Sequence, residues 1–124
     1  MDTPKTFKNL SMWQKSHAFV LEVYKITEKY PKTETFGLVS QFRRAAISIP
    51  ANIAEGYRRN SKAEKLRFFN IAQASLEECR YYILLSDDLN FINDEENASL
   101  SILIEEASKT LNGYCAKLSE DIRS

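Results

Sequence analysis

The chain has 124 residues, 44% of them hydrophobic and 27% charged, an ordinary globular composition with enough apolar material for one core. Seventeen basic residues balance seventeen acidic ones, and three glycines with three prolines leave little material for the many turns of a sheet protein. No window holds 18 apolar residues and the start, MDTPKTFKNLS, is polar, so neither a membrane span nor a secretion signal is expected.

Helix one is predicted from Ser11 to Tyr30, with Ser11 as N-cap, Pro31 as the stop, and a seam of Trp13, His17, Val20, Tyr24 and Thr27. After a loop over Pro31 to Thr35, Phe36 and Gly37 lead into helix two, expected from Gly37 to Arg59. At about 100° per residue, Leu38, Phe42, Ala45, Ile49 and Ile53 share one face. The opposite face is not simply polar: Ile47, Ala51 and Ala54 lie there among Arg44, Glu55 and Arg58, which points to a second contact surface. Pro50 lacks an amide hydrogen and crowds the carbonyl of Ala46. One kinked helix is expected, with Ser48 and Asn52 bonding freed backbone groups, in preference to two helices broken near Ser48 to Ala51.

Ser61 and Glu64 form a capping-box pattern opening helix three, which is expected to reach Asp88. Its apolar arc is wide. Leu66, Phe69, Ala72, Leu76, Cys79 and Ile83 make one stripe, and Phe68, Ile71, Ser75, Tyr82 and Leu85 make another beside it, again implying a neighbour outside the bundle. Asn93 or Asp94 opens helix four, with a seam of Leu100, Leu103, Ala107, Leu111, Tyr114 and Leu118 ending near Ile122. Gly113 weakens that helix and is read as a point of close packing. The short connections imply an all-α, antiparallel, up-down-up-down four-helix bundle, one domain over residues 1–124.

Chemistry-bearing constellations are scarce. The single histidine, His17, excludes the paired Glu-x-x-His motifs of a di-iron bundle; it has no identifiable partner nucleophile for a Ser/His/Asp or Cys/His arrangement, and is read as a hydrogen-bonded, partly buried seam residue. Gly37, Gly56 and Gly113 stand alone, so no phosphate loop is present. Cys79 and Cys115, 36 residues apart, read as small buried side chains of a reduced cytoplasmic protein. No catalytic residue, metal ligand or cofactor is expected, and the chain does not read as an enzyme. Glu78 falls in the apolar arc of helix three, so Arg44 or Arg43 is expected to reach it within or between subunits.

Charge is unevenly distributed: residues 1–67 carry 13 Lys/Arg against 6 Asp/Glu, and residues 68–124 carry 4 against 11. Arg58, Arg59, Lys62, Lys65 and Arg67 crowd the turn between helices two and three. Arg43 precedes Arg58 by 15 residues, roughly 22 Å along a helix, a spacing that could follow a phosphate backbone. The competing reading assigns Arg43 and Arg44 to intersubunit salt bridges and leaves the other cations solvated. Only Tyr57 is expected to be free for base stacking.

The segment QFRRAAISIPANIAEGYRR (Gln41 to Arg59), with PKTETFGL before it and FFNIAQASLEE after it, resembles the 23S rRNA-intervening sequence proteins. The resemblance runs from Trp13 to about Leu89 and is weakest in the last helix. It implies a left-handed four-helix bundle, a ring-like homopentamer in known relatives, and no established enzymatic activity. A related group, the accessory proteins of diversity-generating retroelements, binds a reverse transcriptase and nucleic acid through a basic surface. In such a ring, Arg44, Ile47, Ala51, Ala54, Phe68, Ile71, Glu78 and Tyr82 are the expected interface. The basic turn becomes a rim for RNA, DNA or a reverse-transcriptase-like protein. A structural or adaptor oligomer that binds a protein partner without nucleic acid is the alternative.

Overall fold

The computed structural model describes residues 6–124, and among these the regular structure is entirely helical. Four long helices, α1 (Ser11–Thr27), α2 (Ser40–Arg58), α3 (Lys62–Asp88) and α4 (Asp94–Arg123), account for most of the chain. Helices α1 and α3 each pack against both α2 and α4, so the apolar core lies between all four. Phe19, Phe42 and Phe69 are its largest fully buried side chains, from α1, α2 and α3 in turn.

Helix α1 begins at Ser11 as expected but departs from expectation in its cap, its end and its register. Its N-cap is Leu10, which makes no side-chain cap bond, and it ends at Thr27 instead of Tyr30. The buried seam is Met12, Ser16, Phe19, Val23 and Ile26. Of the predicted seam, Val20 and Thr27 are buried and Trp13 is partly buried, whereas His17 and Tyr24 are exposed. Both registers have the same 4-3-4-3 spacing; Ser16 disguises the buried one. Its hydroxyl donates to the Met12 carbonyl at 2.6 Å, which meets the requirement for a partner in an apolar core.

A wide π turn, Thr35–Val39, precedes α2 and departs from helical dihedrals at Gly37, so α2 starts three residues later than predicted. From Ser40 to Arg58 the helix is unbroken across Pro50. Leu38, Phe42, Ala45, Ile49 and Ile53 are all buried, as their spacing required. Asn52 Nδ2 donates to the Ser48 carbonyl at 2.8 Å and to Ser48 Oγ at 2.9 Å, and Ser75 Oγ on α3 donates to the same Ser48 hydroxyl at 2.8 Å. The side chains that flank the proline thus tie α2 to its own backbone and to α3.

Ser61 caps α3 by accepting from the Glu64 amide at 3.1 Å. The reciprocal half of the expected capping box does not form; Glu64 turns instead to Arg67 at 3.6 Å. At the other end Asn90 adopts φ 61°, and Phe91 N and Asn90 N donate to Ser86 O and Asp87 O at 2.9 and 3.0 Å. That pair of bonds is the Schellman arrangement, which Asn tolerates better than branched residues do. Asn93 then caps α4 in a full capping box with Glu96.

In α4 the buried positions are Leu100, Ile104, Ala107, Ser108, Leu111, Cys115 and Leu118. Leu103 is only partly buried and Tyr114 is exposed, which corrects two of the predicted seam positions. Gly113 has nothing within 4 Å of where a Cβ would stand, so the close packing expected there is absent. Close packing occurs at Gly56, where a Cβ would lie 2.6 Å from Phe69 Cε1.

Candidate nucleic-acid and subunit interfaces

The turn that links α2 to α3 gathers most of the predicted basic residues. Arg58 is exposed and has no ion-pair partner among the described residues. Arg59 pairs with Glu55 at 3.0 Å and lies over the Phe68 ring at 4.5 Å, while Arg67 pairs with Glu64 at 3.6 Å and approaches the same ring at 5.7 Å. Phe68 therefore organises two arginines by cation–π contact. Lys62 reaches Asp121 near the end of α4 at 3.7 Å. Lys65 is committed to the fold: Nζ donates to the Tyr57 carbonyl at 2.6 Å and sits 5.4 Å from the Tyr57 ring, so that ring is not the free stacking platform expected.

Arg43 stands apart from this group. Its Nε donates to Thr27 Oγ1 at 2.9 Å, Nη2 lies 3.3 Å from both Tyr24 O and Glu28 Oε2, and the guanidinium covers the Tyr24 ring at 4.4 Å. These contacts place a cation on the last carbonyls of α1, where the helix dipole favours it. The residue is occupied in joining α2 to α1, and the structure does not bring it to the turn.

The second face of α2 borders an open apolar groove of about 360 Å³. Ile47, Pro50, Ala51 and Ala54 form its α2 side; Trp13, His17 and Val20 form its α1 side, and Phe7 also lines it. His17 is not the hydrogen-bonded seam residue expected: it is exposed and stacks on Trp13, with ring centroids 4.8 Å apart and planes 12° apart. The α1 contribution is hidden in the sequence because Trp13, His17 and Val20 have the spacing of a core seam. The usable signal was the second, one-residue-shifted register on α1, which leaves these side chains beside the seam.

The remaining interface candidates lie along α3. Phe68 and Tyr82 are partly buried, Ile71 is 42% exposed, and Tyr82 packs on Phe42 with centroids 5.7 Å apart. Glu78 is exposed and accepts from the Tyr82 hydroxyl at 2.6 Å; within the chain neither Arg44 nor Arg43 reaches it. That hydrogen bond, with burial adding to it, pushes the Tyr82 phenol up to about 12. Arg44 is exposed with no ion-pair partner among the described residues.

Among the described residues no three His, Cys, Asp or Glu side chains gather as a metal site. Neither cysteine is placed as a nucleophile. Both are buried and free, and burial raises Cys115 to about 11 and Cys79 further. No helix among the described residues is long and apolar enough to cross a membrane.

Four long helices around a shared apolar core define the class, an all-α four-helix protein. A solved example of similar fold is the 1.70 Å crystal structure of a protein of unknown function from the S23 ribosomal protein family of Bacteroides thetaiotaomicron VPI-5482. The two are similar with a TM-score of 0.77 over 85% of this chain and 95% of that one, at 24% identity. The chain belongs to the 23S rRNA-intervening sequence protein family, whose model matches residues 8–113. No curated protein matches it.

Proposed function

We propose that the chain is a non-enzymatic, homo-oligomeric four-helix bundle that binds nucleic acid or a nucleoprotein through the basic turn between α2 and α3. In this reading residues 1–124 form one antiparallel, up-down-up-down, left-handed bundle, a cytoplasmic protein whose copies assemble through the second face of α2. The observation that carries the nucleic-acid assignment is the state of the cations at the turn. Arg59, Lys62 and Arg67 are exposed, and their ion pairs are all with exposed carboxylates, at 3.0 to 3.7 Å. Such pairs are worth about 0–1 kcal/mol, so a phosphate can replace the carboxylate at little cost. Arg58 has no carboxylate to give up. An oligomer repeats the turn in every subunit, and phosphate contacts then accumulate.

The test is fluorescence titration of the purified chain with a mixed-sequence single-stranded RNA and a DNA duplex at low and moderate salt. Binding is expected to weaken steeply with salt and to be lost on combined reversal of Arg58, Arg59 and Lys62 to Glu. Binding that ignores both changes removes the basic turn from the mechanism. The apolar groove favours a second reading, an adaptor oligomer that captures a protein such as a reverse transcriptase. Capture would then survive the charge reversals and be lost with Ala51→Glu.

A further inference from the structure

We propose that the turn between α2 and α3 takes single-stranded nucleic acid, with the Arg59 guanidinium, backed by Phe68, as the platform on which an unpaired base stacks. The inference rests on the nucleic-acid reading above and names the class of strand. Arg59 is the first residue past α2, with extended backbone at φ −69° and ψ 153°, and its amide donates to the Gly56 carbonyl at 3.1 Å. Its side chain lies over Phe68, with Cζ 4.5 Å from the ring centroid, yet remains 42% exposed. One face of the guanidinium is turned to the ring and the other is left to solvent.

The surroundings hold this platform in place. Gly56 lets α2 close on α3, since a Cβ there would stand 3.1 Å from Phe68 Cβ. Glu55 Oε1 accepts from Arg59 Nη2 at 3.0 Å. That bond grips an edge of the guanidinium and leaves its faces clear, so Arg59 can serve a base without giving up its carboxylate. Lys65 Nζ ties down the end of α2 through the Tyr57 carbonyl at 2.6 Å. A side chain fixed in this way loses little further freedom when a base lands on it.

Stacking chemistry selects the ligand. A guanidinium plane packs on the π-face of any base, provided that the face is free. In a duplex neighbouring pairs cover those faces, whereas a single strand splays its bases out. Arg58 and Lys62, one residue before and three after Arg59, are exposed and supply the phosphate contacts on either side. Nothing in this arrangement reads a base edge, so the platform tolerates sequence.

The test is anisotropy titration of the full chain at low and moderate salt with three DNA ligands: a mixed-sequence single strand, the same strand with abasic sites in place of its bases, and its duplex. The wild type is expected to prefer the single strand and to bind the abasic strand about tenfold or more weakly. Arg59→Lys keeps the charge and removes the plane. It is expected to lose the same factor on the single strand and nothing on the other two ligands, with the salt dependence unchanged. Phe68→Leu should follow Arg59→Lys, and Phe68→Tyr should bind as the wild type does. Should Phe68→Leu lose helix content by circular dichroism, Arg59→Lys, at an exposed position, carries the test. A wild type that binds all three ligands equally, or an Arg59→Lys variant that keeps the preference for bases, overturns the platform while leaving the nucleic-acid reading intact. A wild type that binds none of them at low salt overturns both.

Discussion

Gly56 in α2 and Gly113 in α4 are both helical, yet one is buried and the other exposed. At Gly56 a Cβ would stand 2.6 Å and 2.9 Å from two atoms of the Phe69 ring and 3.1 Å from Phe68 Cβ; at Gly113 it would meet nothing within 4 Å. Neither glycine has a positive φ, so backbone conformation does not require either. The first exists for space, because α2 and α3 approach too closely there for any side chain. The second carries only the intrinsic cost of glycine in a helix. The α2–α3 seam is thus specified by packing at the atomic scale, and the outer surface of α4 is not.

The largest effect is expected from emptying the seam. Phe69 is 1% exposed, and Phe69→Ala should cost about 3–5 kcal/mol of unfolding free energy in urea titration. Gly56→Ala comes next: overpacking against the ring costs about 1–3 kcal/mol, less roughly 1 kcal/mol returned by helix propensity. In a Phe69→Leu background the same substitution should cost less, because the obstructing ring is gone, and equal costs in both backgrounds would sink the steric account. Gly113→Ala should act in the opposite direction and stabilise the chain by up to about 1 kcal/mol. A loss at position 113 would mean that α4 meets a neighbour there, and the comparison of the two glycines would fail.

The same contrast shows what could be read before the structure. Periodicity located the buried stripes of α2 and α3 well: Phe42, Ala45, Ile49 and Ile53, and Phe69, Ala72, Leu76 and Cys79, are all buried. It misplaced α1 by one residue, since Ser16 occupies a core position and Trp13 and Tyr24 mimic one. Cys115 and Tyr114 produced the same error in α4. A lone glycine carries no local sign of what faces it, so the close packing expected at Gly113 is found at Gly56. Partners across helices were equally hidden: Arg43 with Thr27, and Glu78 with Tyr82, depend on rotations that apolar spacing fixes only coarsely. The apolar second face of α2 was legible because Ile47, Ala51 and Ala54 are wrong for solvent wherever the other helices lie.

Thiol chemistry separates the two regions more gently. Cys79 packs in the core beside the α2–α3 seam and Cys115 lies on α4, and burial raises both thiols, Cys79 the more. In the folded chain at pH 8, Cys115 should react with a thiol reagent faster than Cys79, and both much more slowly than in urea. Equal rates would place their exposure on one shared opening of the four helices.

The smallest expected effect lies at the start of α4. Glu96 closes the capping box with Asn93 and pairs with Lys29 on α1. The Lys29 contact, with the Asn93 amide adding to it, holds the carboxyl below its ordinary value of 4.5. A carboxyl more acidic in the folded chain than in the unfolded one contributes stability that is complete above the unfolded value. That contribution disappears as pH falls through the folded one. Glu96→Gln separates the two roles of the side chain, since glutamine can still accept the Asn93 amide in a capping box but cannot pair as an anion with Lys29. The variant should be slightly less stable than the wild type at pH 7, with the difference shrinking as pH drops below about 4. A difference that persists unchanged into acid would assign the contribution of Glu96 to its capping geometry and none of it to the charge that links α4 to α1.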